Sequence, residues 1–164
     1  MSTLQPKQGC TIHILMLRYN SMDRIRNALL RVNRTCKDAV MFDIDDTLID
    51  SDTGQSMHII IQLLRFCKDL AFKVVIMTAR SRLAKEYTQQ QLDLHDIPYD
   101  VLMFIPANLK SRAKRELGMR FVLSVRDRES DCGESVYALK LPGNILKPTA
   151  TGLAHRHINV LCGS

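Results

Sequence analysis

Asp43 and Asp45 follow the apolar run 38–42 with a single residue between them, in the string Asp43-Ile44-Asp45-Asp46-Thr47. In an extended segment residues i and i+2 project to the same side, so both carboxylates can address one phosphorus atom. Two carboxylates that close repel each other and any phosphate dianion. A divalent cation relieves the conflict, and Asp127, just beyond the apolar run 121–125, can supply a further carboxylate. Hard oxygen ligands together with a substrate phosphate favour Mg²⁺. In this reading Asp43 attacks phosphorus to form an aspartyl-phosphate. Asp45 protonates the leaving oxygen, then deprotonates the water that releases phosphate. Thr78 and Lys110 offer a hydroxyl and a cation to the phosphoryl oxygens, where charge must be stabilised during transfer.

Those residues are useful only if the fold gathers them. Residues 12–18, 38–42, 73–77, 101–105, 121–125 and 135–141 read as strands, and most are continuously apolar. Met22, Ile25, Leu29 and Val32 recur at helical spacing after Ser21, an expected N-cap, and Ile59, Ile60, Leu63, Leu64 and Cys67 form a second helical stripe. Residues 82–94 and 108–117 read as further helices, the latter closed by Gly118. Continuously apolar strands alternating with helices imply a doubly wound, Rossmann-like α/β domain with a parallel sheet covered on both faces. Asp43, Thr78, Lys110 and Asp127 each lie at or just beyond the carboxyl end of an expected strand. In open α/β sheets the ligand crevice lies there.

The string VMFDIDDTLID at 40–50 resembles the nucleophile loop of the haloacid dehalogenase (HAD) superfamily of phosphatases. VVIMTAR resembles its second motif, Lys110 its third, and RDRESD its fourth, over residues 38 to 142 in the expected order. Within the superfamily the chain looks nearest to the class B acid phosphatases and their plant relatives, which have a similar second motif, a Lys-Ser pair before a basic helix, and a closing strand like YALKLPGN. The resemblance implies Mg²⁺ bound by Asp43, the backbone carbonyl of Asp45, and Asp127, with Asp131 assisting directly or through water. It also implies a catalytic core over 38–148. A strand and helix from 1–37 would pack on that core, and 149–164 would be a loosely held tail.

The chain departs from the family pattern at Arg126, where glycine usually precedes the metal-loop aspartate. A glycine there would permit a tight turn that arginine resists. No stretch is long enough for a sizeable cap domain, so an open site is expected, shaded by 1–37 or a neighbouring subunit. Class B acid phosphatases are exported, whereas the apolar run 10–17 lacks the flanks of a signal peptide. No run approaches the length of a membrane span. A cytoplasmic location with no membrane partner is therefore expected. Five scattered cysteines with no Cys-x-x-Cys spacing argue for reduced thiols rather than a disulfide framework or zinc site.

The net charge of +6 suits anionic partners. A nucleotide or other small phosphorylated metabolite is the favoured substrate, and a phosphorylated macromolecule is next. Nucleic acid is admitted by the charge but unsupported by aromatic interleaving, and a homo-oligomer is compatible with the sequence. Lys114 competes with Lys110 for the third motif, but Lys110 lies nearer the strand end. Arg80 could touch substrate or simply be exposed; Asp46, Asp50 and Asp52 read as local turn residues. The alternative from another class is a catalytically silent phosphate- or nucleic-acid-binding protein that retains the pocket, with Arg126 in its favour. A receiver-type phosphoacceptor fits poorly, because its phosphorylated aspartate and acid pair lie on different strands.

Overall fold

The computed structural model describes residues 13–16, 21–127, 135–141 and 159–162. Its strands are β1 (His13–Met16), β2 (Asp38–Phe42), β3 (Lys73–Thr78), β4 (Val101–Phe104), β5 (Arg120–Arg126), β6 (Ser135–Lys140) and β7 (Asn159–Cys162). Its helices are α1 (Ser21–Arg31), α2 (His58–Asp69), α3 (Lys85–Leu94) and α4 (Lys110–Glu116). Among the described residues they build one seven-stranded sheet in the order β1-β7-β6-β5-β2-β3-β4. Strands β6, β5, β2, β3 and β4 pair in parallel, with Phe42 beside both Ile76 and Val125. The doubly wound, Rossmann-like architecture expected from the apolar periodicity is therefore present.

Period-two alternation distributes the central strands between two cores. Val40, Phe42, Val74 and Ile76 pack with Ile25 and Leu29 of α1, Ile60, Leu63 and Leu64 of α2, and Leu92 of α3. Ala39, Met41, Val75 and Met77 cluster instead with Phe121 and with Ala113 of α4. Both faces of the sheet are thus covered, which is why its strands read as unbroken apolar runs. A β-bulge lies between Ala39 and Val40, where Ala39 is opposite Phe121 and Val40 opposite Leu123. The skipped residue, Val122, reverses the alternation along β5, so Ser124 faces the α4 side while Leu123 and Val125 join the larger core.

The amino ends of β2 and β5 are tied by Arg120, whose Nε and Nη2 donate to Asp38 at 2.7 and 2.6 Å. Thr35 adds its backbone N–H and hydroxyl to the same carboxylate. The Arg120 guanidinium, helped by Thr35 and opposed by burial, holds Asp38 down at about 2. This clamp is at the opposite end of β2 from Asp43. Gly118, with φ +62, closes α4 and its N–H donates to Arg115 C=O. A left-handed residue suits glycine at that helix end.

Within the segment expected as a loose tail, Asn159–Cys162 forms β7, antiparallel to both β6 and β1. A four-residue segment, Asn159-Val160-Leu161-Cys162, carries no recognisable period alone; its pairing depends on two distant strands. The segments joining β2 to α2 (43–57) and β3 to α3 (79–84) are short. Neither forms a cap, in line with the expectation of none.

Candidate active site

The main chain of β2 runs one step past its last paired residue. Asp43 N–H donates to Val125 C=O at 3.1 Å, so the nucleophile candidate sits against the carboxyl end of β5. The chain then curls tightly. Thr47, Leu48 and Ile49 all donate to Ile44 C=O at 2.9–3.1 Å, and Asp46 adopts a φ of 54°. Ile44 is fully buried while Asp43 and Asp45 are partly exposed, so the alternation of residues i and i+2 survives at the strand tip.

The two carboxylates nevertheless meet different cations. Lys110, the first residue of α4 and buried, places Nζ 2.5 Å from Asp43 Oδ2. Asp43 Oδ1 accepts from Ile44 N–H at 2.8 Å. Asp45 receives Arg80 instead. Nε lies 3.1 and 3.0 Å from its two oxygens, and Nη2 lies 2.6 Å from Oδ1. Thr78 ends β3 fully buried, and its Oγ1 accepts from Arg80 N–H at 3.2 Å. Its own O–H is left to donate.

Asp127 follows β5 directly, two residues beyond Val125, which is opposite Phe42. Neighbouring strands are about 4.8 Å apart, so Asp43 and Asp127 top adjacent parallel strands. Asp131 lies outside the described residues. Among the described residues no three His, Cys, Asp or Glu side chains converge as a ready cation cluster. The donor set implied by the resemblance draws on one backbone carbonyl, which is not a side chain, and on Asp131, which lies outside the described residues. The chemistry of the available donors, carboxylate and carbonyl oxygens at one sheet end, fits a hard cation such as Mg²⁺.

Arg126 is an ordinary member of β5, paired with Lys140, and is absent from the residues with positive φ. The turn that would need glycine does not occur at that position, so the arginine introduces no backbone strain there. Lys114 is also buried, but it points to the other core. Its Nζ donates to Ser124 Oγ at 2.8 Å and Ser135 Oγ at 3.2 Å, over the Phe121 ring. Lys110, and not Lys114, therefore reaches Asp43.

The remaining acids are local. Asp46 accepts from Ser51 N–H and hydroxyl at 3.0 and 2.7 Å. Asp50 Oδ1 takes the N–H groups of Asp52 and Thr53, shaping the turn before Gly54. In the basic cluster, Arg112 pairs with Glu116 and Arg120 with Asp38.

The residue that sequence reasoning undervalued is Arg80. Its partner is 35 positions away, and only its placement immediately after the VVIMTA strand end hinted at a role.

The model of the haloacid dehalogenase-like hydrolases matches residues 40–108, a segment that contains Asp43, Asp45 and Thr78. Lys110 and Asp127 lie outside the matched residues. Among solved structures, the class C acid phosphatase of Bacillus anthracis is similar at 18% identity and a TM-score of 0.55, over 70% of this chain and 63% of that one. The same enzyme with tungstate bound gives 19% identity and 0.54, over 69% of this chain and 61% of that one. A chain of a Pnkp1/Rnl/Hen1 complex gives 22% and 0.51, over 57% of this chain and 40% of that one. This chain thus spans under two thirds of each of these structures, and the likenesses show the fold. The narrower grouping with class B and plant acid phosphatases stays a resemblance of motifs. No curated protein matches.

Proposed function

We propose that the chain is a phosphomonoester hydrolase that works through an aspartyl-phosphate on Asp43. The observation that carries this reading is the Lys110–Asp43 contact at 2.5 Å, at the carboxyl end of a parallel sheet whose neighbouring strand ends carry Thr78 and Asp127. Burying the Lys110 ammonium beside a carboxylate costs the desolvation of both charges. An ammonium has three N–H donors and Asp43 takes one, leaving donors for phosphoryl oxygens.

The residues divide the chemistry as follows. Asp43 forms a bond to phosphorus as the ester P–O bond opposite it breaks. Asp45, as the carboxylic acid, gives its proton to the departing oxygen. Asp45, now a carboxylate, takes a proton from the water that attacks the phosphorylated Asp43. Lys110 and the Thr78 hydroxyl stabilise the charge spread over the equatorial oxygens. Asp43, the Asp45 carbonyl, Asp127 and Asp131 would hold Mg²⁺, which when bound supplies positive charge to the phosphoryl group. A nucleotide or small phosphorylated metabolite is the proposed substrate class, in keeping with the +6 net charge and the short loops at the site. The bacterial acid phosphatase likeness supports the activity but not the substrate.

The direct assay is release of inorganic phosphate from p-nitrophenyl phosphate by the purified protein, with Mg²⁺ and after chelation. Mg²⁺-dependent hydrolysis is expected. Phosphate binding with no turnover at any metal concentration would leave a silent pocket instead.

A further inference from the structure

Arg80 is the most heavily engaged side chain near the site, and the reaction outlined above assigns it nothing. Its Nε and Nη2 grip the Asp45 carboxylate. Its Nη1 donates to Gln91 Oε1 at 2.9 Å and to Thr88 Oγ1 at 3.3 Å. Thr88 is fully buried on α3, and His95, a turn past Gln91, is bonded to Gly54 C=O at 3.0 Å. The Arg80 backbone N–H is fixed by Thr78. A guanidinium has five N–H donors; one at Nε, two at Nη1 and one at Nη2 already meet protein. An arginine that clamps a phosphate needs its planar fork for the ligand. Here the fork is spent on a carboxylate. The side chain of Asp45 is 42% exposed and Arg80 only 15%, so the better-anchored member of the pair holds the freer one.

We propose that Arg80 is a positioning residue for proton transfer, holding Asp45 aimed at the leaving oxygen, with α3 as its rigid support. The proposal rests on the phosphatase reading. It makes a demand that a structural or phosphate-binding role does not. A good leaving group departs without protonation, whereas an alkoxide requires it. General acid catalysis contributes about 10²–10⁴-fold where it is needed. Loss of Arg80 should therefore harm slow-leaving esters selectively.

The test compares kcat/KM for p-nitrophenyl phosphate and for an alkyl phosphate such as glycerol phosphate. This constant covers the steps through phosphoryl transfer to Asp43. Arg80→Ala should lower it on the alkyl ester by roughly 10²-fold, and on the aryl ester by under about 5-fold, with KM little changed. Asp45→Asn should show the same discrimination, and the double variant should lose little beyond Asp45→Asn alone. Arg80→Lys, which keeps charge but not the fork, should resemble Arg80→Ala, and it carries the comparison if the alanine variant does not fold. Equal losses on both esters with a raised KM would make Arg80 a phosphate ligand and overturn the proposal. Additive losses in the double variant would overturn it too. A normally folded, unsubstituted protein that hydrolyses neither ester would sink the phosphatase reading itself, and this proposal with it.

Discussion

Lys110 reaches back across 67 positions of chain to place its ammonium 2.5 Å from Asp43 Oδ2. The contact joins the first turn of α4 to the tip of β2, at the carboxyl end of the sheet where Thr78 and Asp127 also emerge. Helix α4 owes its position to Ala113, packed in the smaller core against the β2 and β3 side chains. Packing on one face of the sheet thus sets a charge at its end.

Replacing Lys110 with alanine should therefore cost activity more than stability. Removing one preorganised donor from a charge-stabilising site typically costs about 10²–10³-fold in kcat. Steady-state kinetics on p-nitrophenyl phosphate should show that loss; a variant within about 3-fold of the parent would contradict the role.

Thr78→Val keeps the shape of a fully buried side chain and removes its hydroxyl. Two effects follow, loss of one phosphoryl donor and loss of the acceptor for Arg80 N–H. A fall of roughly 10-fold or more in kcat/KM is expected, with thermal stability down by about 1 kcal/mol. Unchanged kinetics would remove Thr78 from the site.

Asp38 makes a prediction about acid stability. Its carboxyl is held at about 2, below the ordinary value of 3.8 for an aspartate, chiefly by Arg120. A depressed acid contributes stability that is complete above about 4 and is lost as pH falls through about 2. With Arg120 47% exposed, solvent screening reduces the contribution to roughly 1–2 kcal/mol. Asp38→Asn should lower unfolding stability by that amount at pH 7 and flatten its dependence between pH 4 and 2. Denaturant titrations at a series of pH values measure both; parallel curves for the two proteins would contradict the clamp.

Burial pushes the Cys67 thiol up to about 12. Cys36 is exposed. At pH 8 iodoacetamide should label Cys36 readily and Cys67 only after denaturation, as read by peptide mass spectrometry. Labelling of Cys67 at a rate like that of Cys36 would mean that the α2 core opens easily.

The sequence made the sheet legible because buried parallel strands must be apolar on both faces. The runs 38–42, 73–77 and 121–125 have no other economical explanation. Candidate site residues were legible for a related reason. Polar side chains abruptly following such runs have to surface at the crevice. Pairing was not legible. Nothing in the local pattern says that Asp45 meets Arg80, or that Lys114 turns to Ser124, because those contacts depend on how α3 and α4 lie across the sheet. The strand Asn159–Cys162 was hidden likewise, being too short to show a period and defined by distant partners. The concern over Arg126 came from a family habit, and a regular strand conformation at that residue answers it as far as backbone strain goes.

The proposed mechanism depends on Asp43 as the group that takes the phosphoryl. The most direct measurement is the turnover of Asp43→Asn on p-nitrophenyl phosphate at saturating Mg²⁺, with folding checked by circular dichroism. Activity below about 10⁻³ of the parent is expected for a lost nucleophile. A folded Asp43→Asn protein that still turns over at a tenth of the parental rate would contradict the mechanism.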